Sequence, residues 1–120
     1  LNFLKRLNQL LGDEAFNIDK DFILIRKKKD DVKHSTPYTL LDLGYGKEEV
    51  VQRLKELTIK EYSEALIDRD DVNLPILFVF GKDINGKLIY IKLRIKGDQK
   101  KRILCVSFHY ATWEMKFPYA

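Results

Sequence analysis

The stretch that decides the fold is LIYIKLRIK, residues 88–96, in which an aliphatic residue stands at every second position. Successive side chains of a β-strand point to opposite faces of the sheet, so this alternation predicts a strand with one buried face. The residues predicted to face the core are Ile89, Ile91, Leu93 and Ile95. The opposite face begins with a leucine and then presents a phenol and three cations: Leu88, Tyr90, Lys92, Arg94 and Lys96. Such a face can bind a phosphodiester, or it can simply be solvated.

The segments that flank this strand predict its neighbours in the sheet. Residues 76–82 predict the preceding strand, and Asn85-Gly86 supplies the two positive-φ positions of a tight hairpin. Gly97-Asp98 predicts the next turn, and residues 102–109 predict the following strand. The second half of the chain is therefore predicted to be an antiparallel meander.

The first half of the sequence is predicted to be mainly helical. Leucines at helical spacing predict a helix that ends at Gly12, and residues 21–27 predict one strand. Three further helices are predicted, over residues 36–44, 46–57 and 58–65. Thr36-Pro37 is typical of a helix start, and Thr58 with Glu61 has capping-box spacing. Helices followed by a meander predict an α+β fold, in which the N-terminal and central helices cover one face of a small antiparallel sheet.

Length and composition set limits on the class of protein. A chain of 120 residues, 45% of them hydrophobic and 33% charged, suits one domain over residues 1–120. The net charge of +4 favours anionic partners only weakly. The one cysteine, Cys105, excludes an internal disulfide and a CxxC zinc pair, which fits a reducing, cytoplasmic location. No apolar run reaches the roughly 20 residues that a membrane-spanning helix requires, so no membrane partner is expected.

The last strand contributes a candidate proton carrier. Its more apolar alternate set is predicted to pack against the helices, and comprises Leu104, Val106 and Phe108. The other set comprises Ile103, Cys105, Ser107 and His109. If this second set shares a face with Tyr90, Lys92 and Arg94, histidine, phenol and cations lie together. Lys82, at the end of the preceding strand, is expected to reach the same rim.

These residue types suit RNA cleavage through the neighbouring 2′-hydroxyl. A base removes the hydroxyl proton, cations stabilise the charge that grows on the phosphorane, and an acid protonates the departing 5′-oxygen. Histidine is the usual proton carrier near neutral pH, and lysine and arginine supply fixed positive charge. The chemistry needs no metal or other cofactor, and two scattered histidines with one cysteine make no zinc signature.

Other interpretations of the same residues stay open. Lysine and arginine are ordinary occupants of a solvated sheet face, and a lone histidine is more often structural. Basic runs at residues 26–29 and 100–102 could contact a phosphate backbone or be solvated loops. Trp113, Phe117 and Tyr119 could stack on bases, although packing of residues 111–120 over a core edge is the simpler prediction.

Several short segments, taken in order, resemble MqsR-type toxins of bacterial type II toxin–antitoxin systems. They are LLDLG at 40–44, EYS at 61–63, VFGK at 79–82, YIK at 90–92, CVSFH at 105–109 and MKFPY at 115–119. The resemblance covers residues 36–119, and the N-terminal helix and strand match in order and length alone. No single segment is specific, so the resemblance depends on their order and spacing together.

The resemblance implies a RelE-like fold and a small mRNA interferase held inactive by a cognate antitoxin, typically one with a zinc-binding domain and a helix-turn-helix. Tyr90 falls on the strand tyrosine of the family. His109 falls where the family places a lysine after Ser-Phe, and Glu64 falls near another lysine of the family. The glutamine that precedes the hairpin in the family has no match here. These departures bear on cleavage specificity and on activity.

The leading hypothesis is a metal-independent endoribonuclease toxin that cleaves mRNA and leaves a 2′,3′-cyclic phosphate. His109 is assigned proton transfer, and Tyr90 proton transfer or phosphate hydrogen bonding. Lys82 and Lys92 complete the catalytic set, and the RNA-binding residues are predicted to be Arg94, Lys96 and Ser107. The first alternative is a non-catalytic module that binds RNA or an acidic protein with the same face. The second is an interaction protein whose sheet edge pairs with a partner chain.

Overall fold

A five-stranded mixed sheet with helices on one face forms the fold in the computed structural model, which describes residues 1–27 and 31–120. The strands are β1 (Phe22–Leu24), β2 (Tyr62–Leu66), β3 (Leu77–Ile84), β4 (Lys87–Lys96) and β5 (Arg102–Tyr110). The α-helices of the described ranges are α1 (Asn2–Gly12), α2 (Ile18–Asp21), α3 (Thr36–Leu43) and α4 (Lys47–Lys55). Single 3₁₀ turns lie at Val32–His34 and Ile59–Glu61. The predicted α+β class is therefore confirmed.

The order of the strands in the sheet is β1-β5-β4-β3-β2. Strands β2 to β5 pair antiparallel, as predicted, but β1 runs parallel to β5. The expectation of a purely antiparallel sheet is therefore wrong. A parallel pair needs a long crossover between its strands, and here most of the chain lies between β1 and β5. The local pattern of the short β1 holds no information about its partner.

The core lies between the helices and the inner face of the sheet. The four predicted aliphatic residues of β4 are all buried there, together with Phe80, Phe108 and the apolar stripes of α1 and α4. Leu7, Val50 and Leu54 are fully buried by this contact. Burial of a leucine or valine side chain contributes about 1.5–3 kcal/mol, so the stripe of each helix fixes its position on the sheet.

The hairpin between β3 and β4 is the predicted two-residue loop. Asn85 has φ 55° and Gly86 has φ 81°, the left-handed conformation that such loops require. The Gly86 amide donates a hydrogen bond to Asp83 Oδ1 at 3.0 Å. This turn fixes the register of β3 against β4, with Gly81 opposite Tyr90.

A β-bulge in β5 changes which residues face the core. Lys92 pairs with Ser107 but Leu93 pairs with Cys105, so Val106 is the extra residue. Leu104 and Val106 are expected to face inward with Phe108, yet Ile103 and Cys105 are the residues buried in the core, and Val106 lines a depression on the outer face. The bulge exchanges the inward and outward positions of the residues that precede it in β5. The residues after it keep their predicted faces, with Phe108 inward and His109 outward.

Helix α3 covers the part of β5 that β1 does not reach. The amides of Phe108 and Tyr110 donate to the hydroxyls of Thr36 and Thr39, each at 3.1 Å. The N-cap of α3 is Ser35, one residue before the predicted position, and Gly44 ends the helix with φ 71°. Two threonines thus satisfy strand donors that would otherwise be buried without partners.

Two other predicted elements differ from the structure. The capping box of Thr58 and Glu61 is present, but it opens a single 3₁₀ turn and not a helix over 58–65. Residues 62–66 form β2 at an edge of the sheet, because they pair with β3. The strand predicted over 21–27 is confined to Phe22–Leu24. Asp21 belongs to α2, where its carboxylate accepts from the Asn17 amide.

The last residues of the chain cross the outer face of the sheet. Met115 and Phe117 pack on Val79 and Tyr90, and the Ser63 hydroxyl donates to the Lys116 carbonyl at 2.7 Å. Phe117 is packed, as predicted, but on this outer-face cluster and not over an edge of the main core. In the described part of the chain, no helix has the length and apolar character needed to cross a bilayer.

Candidate active site

Tyr90 and His109 lie directly opposite each other on the outer face of β4 and β5. Their rings stack with centroids 5.1 Å apart and planes at 14°. The next pair on this face is Lys92 with Ser107. The register of one strand pair therefore brings together four of the seven site residues predicted from the sequence.

These four residues line a depression of about 240 Å³. Its lining is completed by Lys27, Thr36, Val106 and Trp113. Trp113 contacts Tyr90 edge to face, with centroids 5.9 Å apart, and Lys92 Nζ lies 5.8 Å from the centre of the Tyr90 ring. Sites for drug-sized ligands have volumes of about 300–1,000 Å³, and the depression is smaller than this. Its size therefore suits part of a nucleotide.

His109 is held in one orientation and is almost fully buried. Its Nδ1 lies 2.9 Å from the carbonyl oxygen of Tyr110. Because a carbonyl oxygen only accepts, Nδ1 carries the hydrogen and Nε2 is the basic atom of the neutral ring. The residue is only 2% exposed, so a substrate group must enter the depression to reach this ring.

Tyr90 keeps its proton at neutral pH. Burial raises the pKa of the Tyr90 hydroxyl above its usual value near 10, and the Glu64 carboxylate raises that pKa further. Tyr90 is therefore suited to donate a hydrogen bond or a proton, and unsuited to act as a base.

Lys82 does not belong to this face, and the expectation that it reaches the same rim is wrong. It lies opposite Ile89 on the inner face, where its Nζ is 3.2 Å from Glu61 Oε2 and 3.5 Å from Glu56 Oε1. The two-residue hairpin fixes this outcome, because it places Gly81 opposite Tyr90. The sequence held this information, since counting back from Asn85-Gly86 puts position 82 on the face of Ile89.

Arg94 and Lys96 lie on the outer face but outside the depression. The buried Arg94 donates from Nη2 to Asp68 Oδ2 at 3.1 Å, and this bond is the main cause that lowers the pKa of Asp68. Lys96 is exposed opposite Arg102, and at about 3.3 Å per residue it lies about 20 Å from Tyr90. Of the three predicted RNA-binding residues, only Ser107 therefore lies beside His109.

Three other lining residues are not among the predicted site residues. Thr36 reaches the depression because α3 packs on β5, and Lys27 because it follows β1. The sequence indicates Trp113 only as a residue that could stack on bases. Of the basic run at 26–29, Lys28 and Lys29 lie outside the described residues.

Other reactive groups do not extend this site. Cys105 is buried in the core, and burial raises the pKa of its thiol to about 12, so it is not a nucleophile at neutral pH. Over residues 1–27 and 31–120, no three histidine, cysteine or carboxylate side chains converge into a set that could hold a metal ion.

No protein-family model, no curated protein and no solved structure matches this chain. The resemblance to MqsR-type toxins therefore stays a prediction from the sequence.

Proposed function

We propose that this protein is a metal-independent endoribonuclease that cleaves mRNA by attack of the 2′-hydroxyl. The observation that supports this function is the stacked pair of Tyr90 and His109, with Lys92 and Ser107 beside it in one depression. The reaction uses a base, an acid and positive charge, which His109, Tyr90 and Lys92 can supply. Ser107 adds a hydrogen-bond donor, and one strand pair carries all four residues.

In the proposed mechanism, His109 Nε2 removes the proton from the 2′-hydroxyl and the 2′-oxygen attacks phosphorus. Lys92 stabilises the negative charge on the phosphorane, and the Ser107 hydroxyl donates to a non-bridging oxygen. The bond from phosphorus to the 5′-oxygen breaks as that oxygen receives the Tyr90 proton. The products are a 2′,3′-cyclic phosphate and a 5′-hydroxyl, and His109 returns its proton to Tyr90 through solvent.

Access to His109 is part of the proposal. Trp113 is 65% exposed and lies at the rim of the depression against the Tyr90 ring. We place the scissile nucleotide where it displaces the Trp113 ring from Tyr90, which opens the depression toward His109.

The biological role that we propose is the toxin of a type II toxin–antitoxin system in the cytoplasm. The fold is proposed to be of the RelE-like kind, with helices on one sheet face and the active residues on the other. The proposed partner is a cognate antitoxin, with a zinc-binding domain and a helix-turn-helix, that covers the outer face. These statements depend on the resemblance of residues 36–119 to MqsR-type toxins.

Induced expression in a bacterial host tests the function. The wild type is expected to arrest growth, and Tyr90→Phe and His109→Gln are expected to relieve the arrest at equal protein levels. Lys55→Gln, an exposed position on α4, serves as the control and should stay toxic. Equal growth in all four cultures, or equal arrest, contradicts the assigned site.

One observation favours a second function, a non-catalytic RNA-binding module. His109 is nearly inaccessible and Arg94 is already paired with Asp68, which leaves a basic face with a shielded proton carrier. This alternative predicts that His109→Gln binds RNA as tightly as the wild type, and that neither protein cleaves it.

A further inference from the structure

A second and larger groove opens at the end of the sheet where β4 begins and β5 ends. Its volume is about 660 Å³. Its lining combines basic and aromatic side chains with small ones: Lys33, His34, Tyr38, Lys87, Leu88, Tyr110, Ala111, Thr112 and Trp113. The mechanism above uses none of these residues except Trp113.

The chemistry of the groove fits a single-stranded nucleic acid. Three rings, from Tyr38, Tyr110 and Trp113, offer stacking surfaces, and Lys33 and Lys87 supply positive charge. Among residues 1–27 and 31–120 no carboxylate lines it, although Asp31 Oδ2 lies 2.6 Å from His34 Nδ1 and Asp42 Oδ2 lies 3.8 Å from Lys87 Nζ. Proteins that bind single strands combine these two features, a cationic groove and aromatic platforms.

The groove shares a lining residue with the depression at His109. Trp113 lines both, and Tyr110 follows His109 directly in β5. Lys87 Nζ lies 4.8 Å from the centre of the Tyr110 ring, so a cation and a ring are already paired at the groove floor. An RNA strand that runs from the depression past Trp113 therefore reaches the groove.

We infer that this groove binds the nucleotides adjacent to the cleaved bond, with bases stacked on Tyr38 and Trp113 and phosphates held by Lys33 and Lys87. The inference rests on the proposed function in one respect, which is that the cleaved bond of the RNA lies in the depression at His109. Binding itself requires no cleavage, so the two can be tested apart.

A binding measurement with an RNA that cannot be cleaved tests the inference. The probe is an eight-nucleotide oligouridine with every 2′-hydroxyl methylated and a fluorescent label, and its anisotropy gives the Kd. Trp113 is the one tryptophan of the chain, so quenching of intrinsic fluorescence reports contact at the shared rim. The variants are Tyr38→Leu and Lys87→Gln, with Lys5→Gln on the exposed face of α1 as the control.

We expect the wild type to bind with quenching of Trp113. Tyr38→Leu should raise the Kd about 5- to 150-fold, the range of one lost stacking contact of about 1–3 kcal/mol. Lys87→Gln should raise the Kd and lower the slope of log Kd against log salt concentration by about 0.7. Lys5→Gln should match the wild type, and all variants should keep its unfolding temperature.

The outcomes separate the inference from the proposed function. Binding by the wild type that Tyr38→Leu and Lys87→Gln leave unchanged overturns the inference, even if unmodified RNA is cleaved. Absence of binding by the wild type overturns it as well. Weaker binding in both variants supports the groove, even if the protein cleaves no RNA and the catalytic proposal fails.

Discussion

The Tyr90 hydroxyl is the group that protonates the departing 5′-oxygen in the proposed mechanism. Tyr90→Phe keeps the ring that stacks on His109 and removes only that hydroxyl. We predict that the rate of RNA cleavage falls about 10²- to 10⁴-fold, the usual contribution of a general acid. Single-turnover cleavage of an unmodified RNA measures this. Tyr119→Phe, at an exposed tyrosine, is the control, and an undiminished rate in Tyr90→Phe would remove Tyr90 from the mechanism.

Lys92 and Lys96 lie on the outer face of β4 and allow a matched comparison of two lysine substitutions. Lys92 lines the depression at His109, whereas Lys96 lies exposed at the other end of β4. We predict that Lys92→Gln lowers the cleavage rate about 10²- to 10³-fold, comparable to loss of one oxyanion donor, and that Lys96→Gln leaves it unchanged. Equal losses in both variants would indicate general electrostatic attraction of RNA and not a positioned cation.

Gly81 is required where the C-terminal residues cross the sheet. A Cβ added there would lie 2.6 Å from Phe117 Cζ and 3.0 Å from Met115 Sδ. We predict that Gly81→Ala lowers the free energy of unfolding by about 1–3 kcal/mol, the cost of overpacking. Gly12→Ala, where no atom lies within 4 Å of the new Cβ, is the control. Urea unfolding compares them, and equal stability of the two variants would contradict this packing.

Asp68 makes stability depend on pH through its bond with Arg94. That bond lowers the pKa of Asp68 in the folded state below the unfolded value of about 3.9. The stabilisation is therefore fully present above the unfolded pKa and is lost as the pH falls through the folded pKa. We predict that Asp68→Asn is less stable than the wild type at pH 7 and that the difference shrinks below about pH 4. A difference that stays constant from pH 7 to pH 2 would refute the assignment.

At the scale of elements, the junction of α3 with β5 positions one wall of the depression. Thr39 is fully buried, and its hydroxyl accepts the Tyr110 amide and donates to the Ser35 carbonyl. We predict that Thr39→Val, which keeps the side-chain shape, lowers the free energy of unfolding by about 1–3 kcal/mol because it leaves the partly buried Tyr110 amide unsatisfied.

Hydrogen exchange locates the effect of that substitution. The Tyr110 amide should exchange faster in Thr39→Val than in the wild type, and the Ile91 amide in the centre of the sheet should change only as global stability does. Thr112→Val, at an exposed position, is the control. Unchanged protection of Tyr110 would mean that α3 does not cap β5.

The sequence predicted the elements whose information is local. The alternation of β4 and the Asn85-Gly86 loop together specify the hairpin and place Tyr90 on the outer face. The bulge at Val106 has no local signature, so the predicted inward set of β5 contains Leu104 and Val106 in place of Ile103 and Cys105. His109 still faces outward, because it lies beyond the bulge.

At the scale of the whole molecule, the unpredicted features depend on contacts distant in sequence. The parallel pairing of β1 with β5 and the pairing of Arg94 with Asp68 join residues that no short pattern relates. The same holds for Trp113, whose place at the rim follows from the path of residues 111–120 over the sheet. The cluster of candidate residues on two adjacent strands was predictable, whereas the residues that surround it and the ion pair of Arg94 with Asp68 were not.

The central claim is that the face with Tyr90, Lys92 and His109 cleaves RNA without a metal. The direct measurement incubates purified protein with a mixed-sequence RNA, with and without a chelator, and identifies the 3′ ends of the products. We predict 2′,3′-cyclic phosphate ends, equal yields with and without chelator, and loss of cleavage in His109→Gln. Cleavage that the chelator abolishes, or intact RNA both alone and on ribosomes, would contradict it.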